Sequence, residues 1–358
     1  MLVNLWYVVA FASEVPQDRP LGVRILGHDL VLFRDENGAI RALSDVCVHR
    51  GASLSRGRMG AGRLACPYHG WEFDGGGQCT RIPALGPSAA IPRRARIDAY
   101  PVAERYGMVW LFVGDLPEAD RPPLPDSFAP FHEAAGWRCV SGKFHFDANW
   151  QRVMENGLDA AHVHFVHPAF GNPEAAALDS TPVEELPWGA RTRQTLVAAP
   201  IARKSGASRA ALEEAGYAAR GSRQPSSELQ FHMSGLTIQI LQEMAPGIAQ
   251  CMFSCDTPID ERHTLVFWLQ ARSYKLDPQH DAERVAMVDA VFRQDAAVVS
   301  PSRPAFVPDR ELLELTIAAD EMPMRLRAKI AELAALGWWR EGCAREDPRR
   351  VHVLPSAS

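Results

Sequence analysis

No stretch of the chain approaches the ~20 consecutive apolar residues that a membrane-crossing helix requires. No block of lysine and arginine appears, and 38 basic against 43 acidic residues leave a net charge of −5, a balance that argues against a nucleic-acid partner. Cysteines are scarce: seven, an odd number, in 358 residues, which suits metal binding or buried thiols in a reducing, cytoplasmic setting better than a disulfide framework. No Gly-x-Gly-x-x-Gly follows a strand and opens a helix, so the chain has no dinucleotide fingerprint of its own. Internal repeats, heptads and low-complexity tracts are absent. The apolar opening ends in Ala10-Phe11-Ala12, a weak match to a signal-peptidase site, but no Lys or Arg precedes it. Trp6, Tyr7, Val8 and Val9 read instead as a first β-strand.

The length implies two domains. Residues 1–115 alternate short strand-forming runs with turn chemistry such as Glu36-Asn37-Gly38 and Asp74-Gly75-Gly76-Gly77, the pattern of a small all-β domain. A proline-rich stretch, 116–137, reads as a linker because proline removes backbone donors. The remainder, 138–358, is α+β: a helix is expected over Trp150–Phe165, one strand each over Leu229–Gln242, Ala249–Cys255 and His263–Ala271, and a helix over Pro278–Val299. Residues 202–227, rich in Ala, Arg, Ser and Gly, suit a mobile excursion or a short solvated helix that could act as a lid.

Two loops carry the first metal-type constellation: Cys47-Val-His49, sixteen intervening residues, then Cys66-Pro-Tyr-His69. Zinc-finger spacing keeps cysteines with cysteines and histidines with histidines. Here each loop supplies one of each, as suits a dinuclear iron cluster in which two thiolates hold one iron and two imidazoles the other. With their neighbours, Cys-Val-His-Arg-Gly and Cys-Pro-Tyr-His-Gly-Trp, these loops resemble those of Rieske proteins, and of ring-hydroxylating oxygenases in particular. Respiratory Rieske proteins add a cysteine to each loop, whereas Arg50, Gly51, Ala52 and Tyr68 stand nearby here.

The second constellation runs from Asn156 through Asp159, His162, His164 and His167 to Pro168. A non-haem ferrous site that activates dioxygen needs two imidazoles and one carboxylate on one face. In a regular helix His162 and His167 lie about 500°, hence about 140°, apart around the axis, so the helix must distort or end for both to ligate. The run Asn156-x-x-Asp159-x-x-His162-x4-His167 is similar to the iron motif of the same Rieske oxygenase family, whose catalytic domain has a helix-grip fold. That resemblance implies His162 and His167 as ligands of Fe(II), with Asp159 joining the site to a cluster histidine of a neighbouring subunit and Asn156 beside the iron. His164 is the competing ligand. Among downstream carboxylates, Asp281 reads as helix-start capping material and Asp289 lies about 120° from the apolar stripe of Val288, Val291, Phe292 and Val299. Asp295 lies on that stripe, where a buried carboxylate needs a partner. Asp295 is therefore the expected third ligand, and Gln294-Asp295 also resembles the family's position.

The resemblance extends over Asn4-Leu-Trp-Tyr and Arg105–Trp110. It implies a homotrimer, O2 as cosubstrate, electrons from NAD(P)H through a flavin and iron–sulfur reductase with or without a ferredoxin, and a small organic substrate hydroxylated or oxidatively O- or N-demethylated. The pocket walls are expected from Leu236–Met244, Cys251–Cys255 and the helix of Asp295, mostly apolar; Cys251 and Cys255 read as buried thiols, and Cys79, Cys139 and Cys343 have no partners at motif distance. Two other readings remain: a Rieske electron carrier with a non-catalytic ligand-binding domain, and a helix-grip binding protein. Metal analysis separates them: three irons per chain for the oxygenase, two for the carrier, and zinc for none.

Overall fold

The first third of the chain forms short antiparallel strands, as its alternation of apolar and polar residues and its closely spaced turns dictate. The computed structural model describes residues 1–178, 182–195, 201–204, 206–217, 225–308 and 314–340, so Cys343 and part of 202–227 lie outside the described residues. Contacts group into two units. The first holds residues 1–124, 259–261 and the described residues from 334, and the second holds 125–258 and 262–333.

The first unit is built from β1 (Leu5–Phe11), β2 (Leu21–Ile25), β3 (His28–Arg34), β4 (Ile40–Ser44), β5 (Arg58–Gly60), β6 (Arg63–Ala65), β7 (Glu72–Phe73), β8 (Cys79–Arg81), β9 (Ala99–Tyr100), β10 (Val102–Arg105) and β11 (Met108–Val113). They make three antiparallel sheets, ordered β1-β11-β10, β2-β3-β4-β9 and β5-β6-β7-β8. Val31, Phe33, Leu43, Leu54, Leu64, Phe73 and Ile97 form a core that also takes in Cys47 and Cys66. The Cys47 loop follows β4, and the Cys66 loop joins β6 to β7.

The second unit is a seven-stranded antiparallel sheet ordered β12-β18-β17-β16-β15-β14-β13. Its strands are β12 (Arg138–Phe146), β13 (Val183–Leu186), β14 (Gly189–Thr195), β15 (Ser226–His232), β16 (Thr237–Ala245), β17 (Ile248–Pro258) and β18 (Thr264–Arg272). Among the described residues five α-helices accompany it: α1 (Trp150–Leu158), α2 (Val163–Val166), α3 (Gly206–Glu214), α4 (Asp281–Val299) and α5 (Glu321–Ala335). On one face α4 packs Val288 and Val299 against Val140, Val266 and Trp268, and Phe292 stacks on Phe144 with centroids 5.5 Å apart. On the other face Phe253 meets Phe128, 5.2 Å away. Burying a phenylalanine of this kind stabilises by about 1.5–3 kcal/mol, so both faces contribute to the core.

Three elements differ from the sequence expectation. The helix expected over 150–165 is interrupted: Asp159 is extended (φ −84°, ψ 115°), and its Oδ1 accepts a hydrogen bond from Ala161 N at 2.7 Å. An aspartate that satisfies backbone in this way competes with the helix. Leu229–Gln242 is two strands, β15 and β16, reversed at Gly235 (φ +83°) and Leu236 (φ +47°), a turn concealed in the sequence by the apolar Met233 and Leu236. Within 202–227, α3 is not a solvated helix, because Ala207, Ser208, Ala211 and Leu212 are buried.

Gly142 on β12 faces Trp268 of β18, and a Cβ built there would stand 2.3 Å from the indole Cζ2. Gly142→Val should destabilise the protein by about 1–3 kcal/mol through overpacking, read as a lowered midpoint in urea unfolding, with little change in slope.

Candidate functional site

The two Cys/His loops share one hydrogen-bond plan. Cys47 N donates to Ala52 O at 2.9 Å and Gly51 N to Cys47 O at 2.8 Å; Cys66 N donates to Trp71 O at 2.8 Å and Gly70 N to Cys66 O at 3.1 Å. Gly51 and Gly70 both sit at φ +69°, where a side chain would strain the backbone. The first loop is braced by Asp45, which accepts from Ser53 Oγ and Ser55 N, each at 2.5 Å, and from Ser55 Oγ at 2.8 Å. As a result both cysteines are buried, and the rings of His49 and His69 lie 4.4 Å apart, with Trp71 stacked on His49 at 4.5 Å. Burial, with the neighbouring Cys66 thiol adding to it, pushes the Cys47 thiol up to about 11. Thiolates here therefore call for a cation, and Nδ1 of His49 is buried without a hydrogen-bond partner, as suits a nitrogen whose lone pair is given to metal. The four side chains fit a cluster of the Rieske type.

In the second unit the break after α1 redirects the chain so that His162 precedes α2 and His167 follows it. Their Nε2 atoms come within 3.3 Å, and Oδ1 of Asp295, from α4, lies 3.4 Å from the first and 3.1 Å from the second. These three residues are the group of metal-ligand side chains that the fold brings together among the described residues. Oδ1 of Asp295 is buried, yet neither imidazole is aligned to hydrogen-bond it. That geometry fits three donors aimed at one cation. Burial alone would raise the Asp295 carboxyl, but the two imidazoles and the Asn156 amide outweigh it and hold the group at about 2. Burial likewise lowers His167, and the Asp295 carboxylate reverses the shift upward.

The surrounding residues orient these donors. His167 Nδ1 lies 2.9 Å from Gln294 Oε1, a contact that puts the proton on Nδ1 and the lone pair on Nε2. Asp159 Oδ2 stands 3.8 Å from Nδ1 of His162, which has no hydrogen-bond partner. His164 is turned to the backbone of Asn172, 3.1 Å from its N and O, and is not part of the trio. Asp281 is taken up by Arg138 and Arg272, and Asp289 by Arg293.

The trio opens on a cavity of about 210 Å³. Ile238, Ile240 and Met252 of the sheet and Met287, Val288, Val291 and Phe292 of α4 line it, as do Gln242, Gln250, Ser254, Asp256 and Gln270. The wall is mostly apolar, as the sequence suggested, with these polar groups set among the apolar ones. Cys251, Phe253 and Cys255, expected as wall, alternate with the cavity-lining Met252, Ser254 and Asp256 and do not line the cavity. Burial lifts the Asp256 carboxyl to about 7, partly offset by Ser254. The signal for these polar residues was their period-2 placement in otherwise apolar strands; Gln294 was visible only as the neighbour of Asp295.

A two-iron cluster module followed by a histidine–carboxylate iron pocket defines the Rieske non-haem iron oxygenases. Residues 5–101 match the Rieske [2Fe–2S] domain, and residues 146–336, more than half of the chain, match the vanillate O-demethylase oxygenase C-terminal domain. The chain belongs to this family, with an all-β Rieske domain and an α+β helix-grip catalytic domain. It is 40% identical over 172 residues to the oxygenase component of dicamba O-demethylase from Stenotrophomonas maltophilia, covering 48% of this chain and 49% of that protein. It is 26% identical over 343 residues to methylxanthine N1-demethylase from Pseudomonas putida, 93% of this chain and 89% of that one. The crystal structure of dicamba monooxygenase with 3,6-dichlorosalicylic acid superimposes with a TM-score of 0.78 at 27% identity, covering 95% and 99% of the two chains. The chain spans about half the length of several curated relatives that it matches, 49% for the dicamba and toluene-4-sulfonate proteins.

Replacing Gln294 by Leu removes the acceptor at His167 Nδ1 and should weaken iron retention in the second unit about 10–100-fold. Chelator competition measures this, and the visible spectrum of the cluster should stay unchanged.

Proposed function

We propose that the chain is the terminal oxygenase of a multicomponent system, hydroxylating or oxidatively O- or N-demethylating a small aromatic, heterocyclic or polycyclic substrate with O2. The observation that carries this reading is the convergence of His162 Nε2, His167 Nε2 and Asp295 Oδ1 at the wall of a ligand-sized cavity. The activities in the names of dicamba O-demethylase and methylxanthine N1-demethylase support it.

In this reading Cys47 and Cys66 hold one iron of the cluster, His49 and His69 the other, and His162, His167 and Asp295 hold Fe(II). When bound, these groups supply electron transfer and the reduction of dioxygen, drawing on NAD(P)H through a flavin and iron–sulfur reductase and, in some systems, a ferredoxin. The chain's own residues do the positioning. Gln294 holds the tautomer of His167. The Asn156 amide hydrogen-bonds the Asp295 carboxylate and keeps it ionised for ligation. Asp159 stands 3.8 Å from His162 Nδ1 and, in a homotrimer, would reach a cluster histidine of the adjacent subunit. Ile238, Ile240, Met252 and Phe292 hold the hydrocarbon body of the substrate and exclude water.

The division of labour follows: 1–115 receives electrons, 116–137 connects, and 138–358 carries the oxidation. A cytoplasmic setting belongs to the same reading and agrees with the six described cysteines, none of which is in a disulfide. With a surrogate reductase and NADH, oxygen uptake should rise on addition of a methoxyarene or N-methylated heterocycle that fits, with formaldehyde released for each methyl oxidised. His162→Ala should abolish this while the cluster still bleaches on taking up its electron. Substrate-independent electron flow, equal in both proteins, would mark an electron carrier instead.

A further inference from the structure

Arg284 on α4 is 1% exposed, and among the described residues no carboxylate accepts a hydrogen bond from it. Nε and Nη2 donate to Gln270 Oε1 at 3.1 and 2.9 Å, Nη2 to Gln250 Oε1 at 2.9 Å, and Nη1 to Ser208 Oγ at 2.9 Å and Met287 Sδ at 3.2 Å. Every acceptor is neutral. The nearby carboxylates are engaged elsewhere: Asp281 is shared by Arg138 and Arg272, and Glu283 accepts from Ala207 N at 3.1 Å. A guanidinium stays charged when buried, so this one carries a positive charge with no hydrogen-bonded counterion among the described residues, and the adjacent Glu283 carboxylate acts on it only through space.

That charge decides what the cavity wall offers. Gln270 spends its carbonyl oxygen on Arg284, which leaves its amide N–H groups for the cavity that it lines. Gln250 spends its oxygen on Arg284 and on Tyr274 Oη at 3.0 Å, and its Nε2 donates to Gln242 Oε1 at 2.7 Å. The oxygen of Gln242 is thereby occupied too, and its N–H groups are what remain at the wall. One buried cation thus turns Gln242 and Gln270 into donors. Eleven residues of α4 separate Arg284 from Asp295, about 16 Å along the axis at ~1.5 Å per residue. Gln242 and Gln270 line the same cavity as His162, His167 and Asp295, with Gln270 held to the helix at Arg284 rather than near Asp295.

We propose that Gln242 and Gln270, charged from behind by Arg284, form a subsite for an oxyanionic group, carboxylate or sulfonate, of the molecule whose other end is oxidised at the trio. This rests on the oxygenase reading above and names the substrate class for it. An oxyanion at this place accepts charge-assisted hydrogen bonds and compensates the guanidinium; a neutral ester offers acceptors but no charge. Arg284 is a positioning residue, since it acts through the glutamines.

Binding is measured by isothermal titration calorimetry on the full-length chain as purified, under nitrogen and without reductant, so that no turnover occurs. The probes are 4-methoxybenzoate with its methyl ester, and 6-methoxy-2-naphthoate with its methyl ester. At least one carboxylate should bind ten or more times tighter than its ester. Gln270→Glu, which hands the guanidinium a carboxylate of equal size and so keeps the fold, should reverse that preference, and Arg284→Met should bring the ratio near one. Esters binding as tightly as acids in both pairs, no binding by any probe, or an acid preference that survives Gln270→Glu would overturn the subsite. An acid preference in a chain that takes up no oxygen would leave the subsite standing and count against the oxygenase reading alone.

Discussion

Two imidazole nitrogens 3.3 Å apart and a carboxylate oxygen 3.1 and 3.4 Å from them share one small buried volume. Leaving polar groups of this kind without a partner costs roughly 2–7 kcal/mol each in an apolar setting, and more for the charge. A cation between them removes that cost, and the rest of the second unit is arranged to hold the three atoms at that spacing. The break after α1 presents two histidines from one short stretch, α4 brings the carboxylate from 128 residues beyond His167, and Gln294 fixes which nitrogen faces inward.

Helix α4 is the element on which the pocket depends most. Its buried stripe includes Arg284, Val288, Asp295 and Val299, so a single rigid rod carries a metal-type ligand at one end and a cation hydrogen-bonded only to neutral groups at the other. The helical rise sets the distance between those two ends, and packing Phe292 on Phe144 and Val288 on the sheet fixes where the rod lies. Constellations built on regular elements hold their geometry better than those on loops. The cluster loops reach comparable rigidity by another route, with matching backbone hydrogen bonds, left-handed glycines and the Asp45 brace.

Much of this was legible in the residues. The Cys/His loops are local, so ligand type, spacing and flanking glycine sit together in a few positions. Asp295 was separable from Asp289 because helical periodicity reports which face a residue occupies, and Asp295 is indeed buried while Asp289 pairs with Arg293 near the surface. Periodicity failed where a side chain competes with the backbone, at Asp159, and where a turn carries apolar residues, at Met233–Leu236. It did not separate the two faces of β17, where Cys251, Phe253 and Cys255 alternate with the residues that line the cavity.

By itself the sequence determined which side chains could ligate metal, the order of the two modules and the face on which Asp295 lies, because each depends on residue type and on chain-local period. Only the tertiary structure decided that His162, His167 and Asp295 meet, that His164 does not join them, and that Arg284 finds neutral partners rather than a carboxylate. A period tells which way a side chain points. What stands opposite is set by the packing of α4 on a sheet whose strands come from distant parts of the chain.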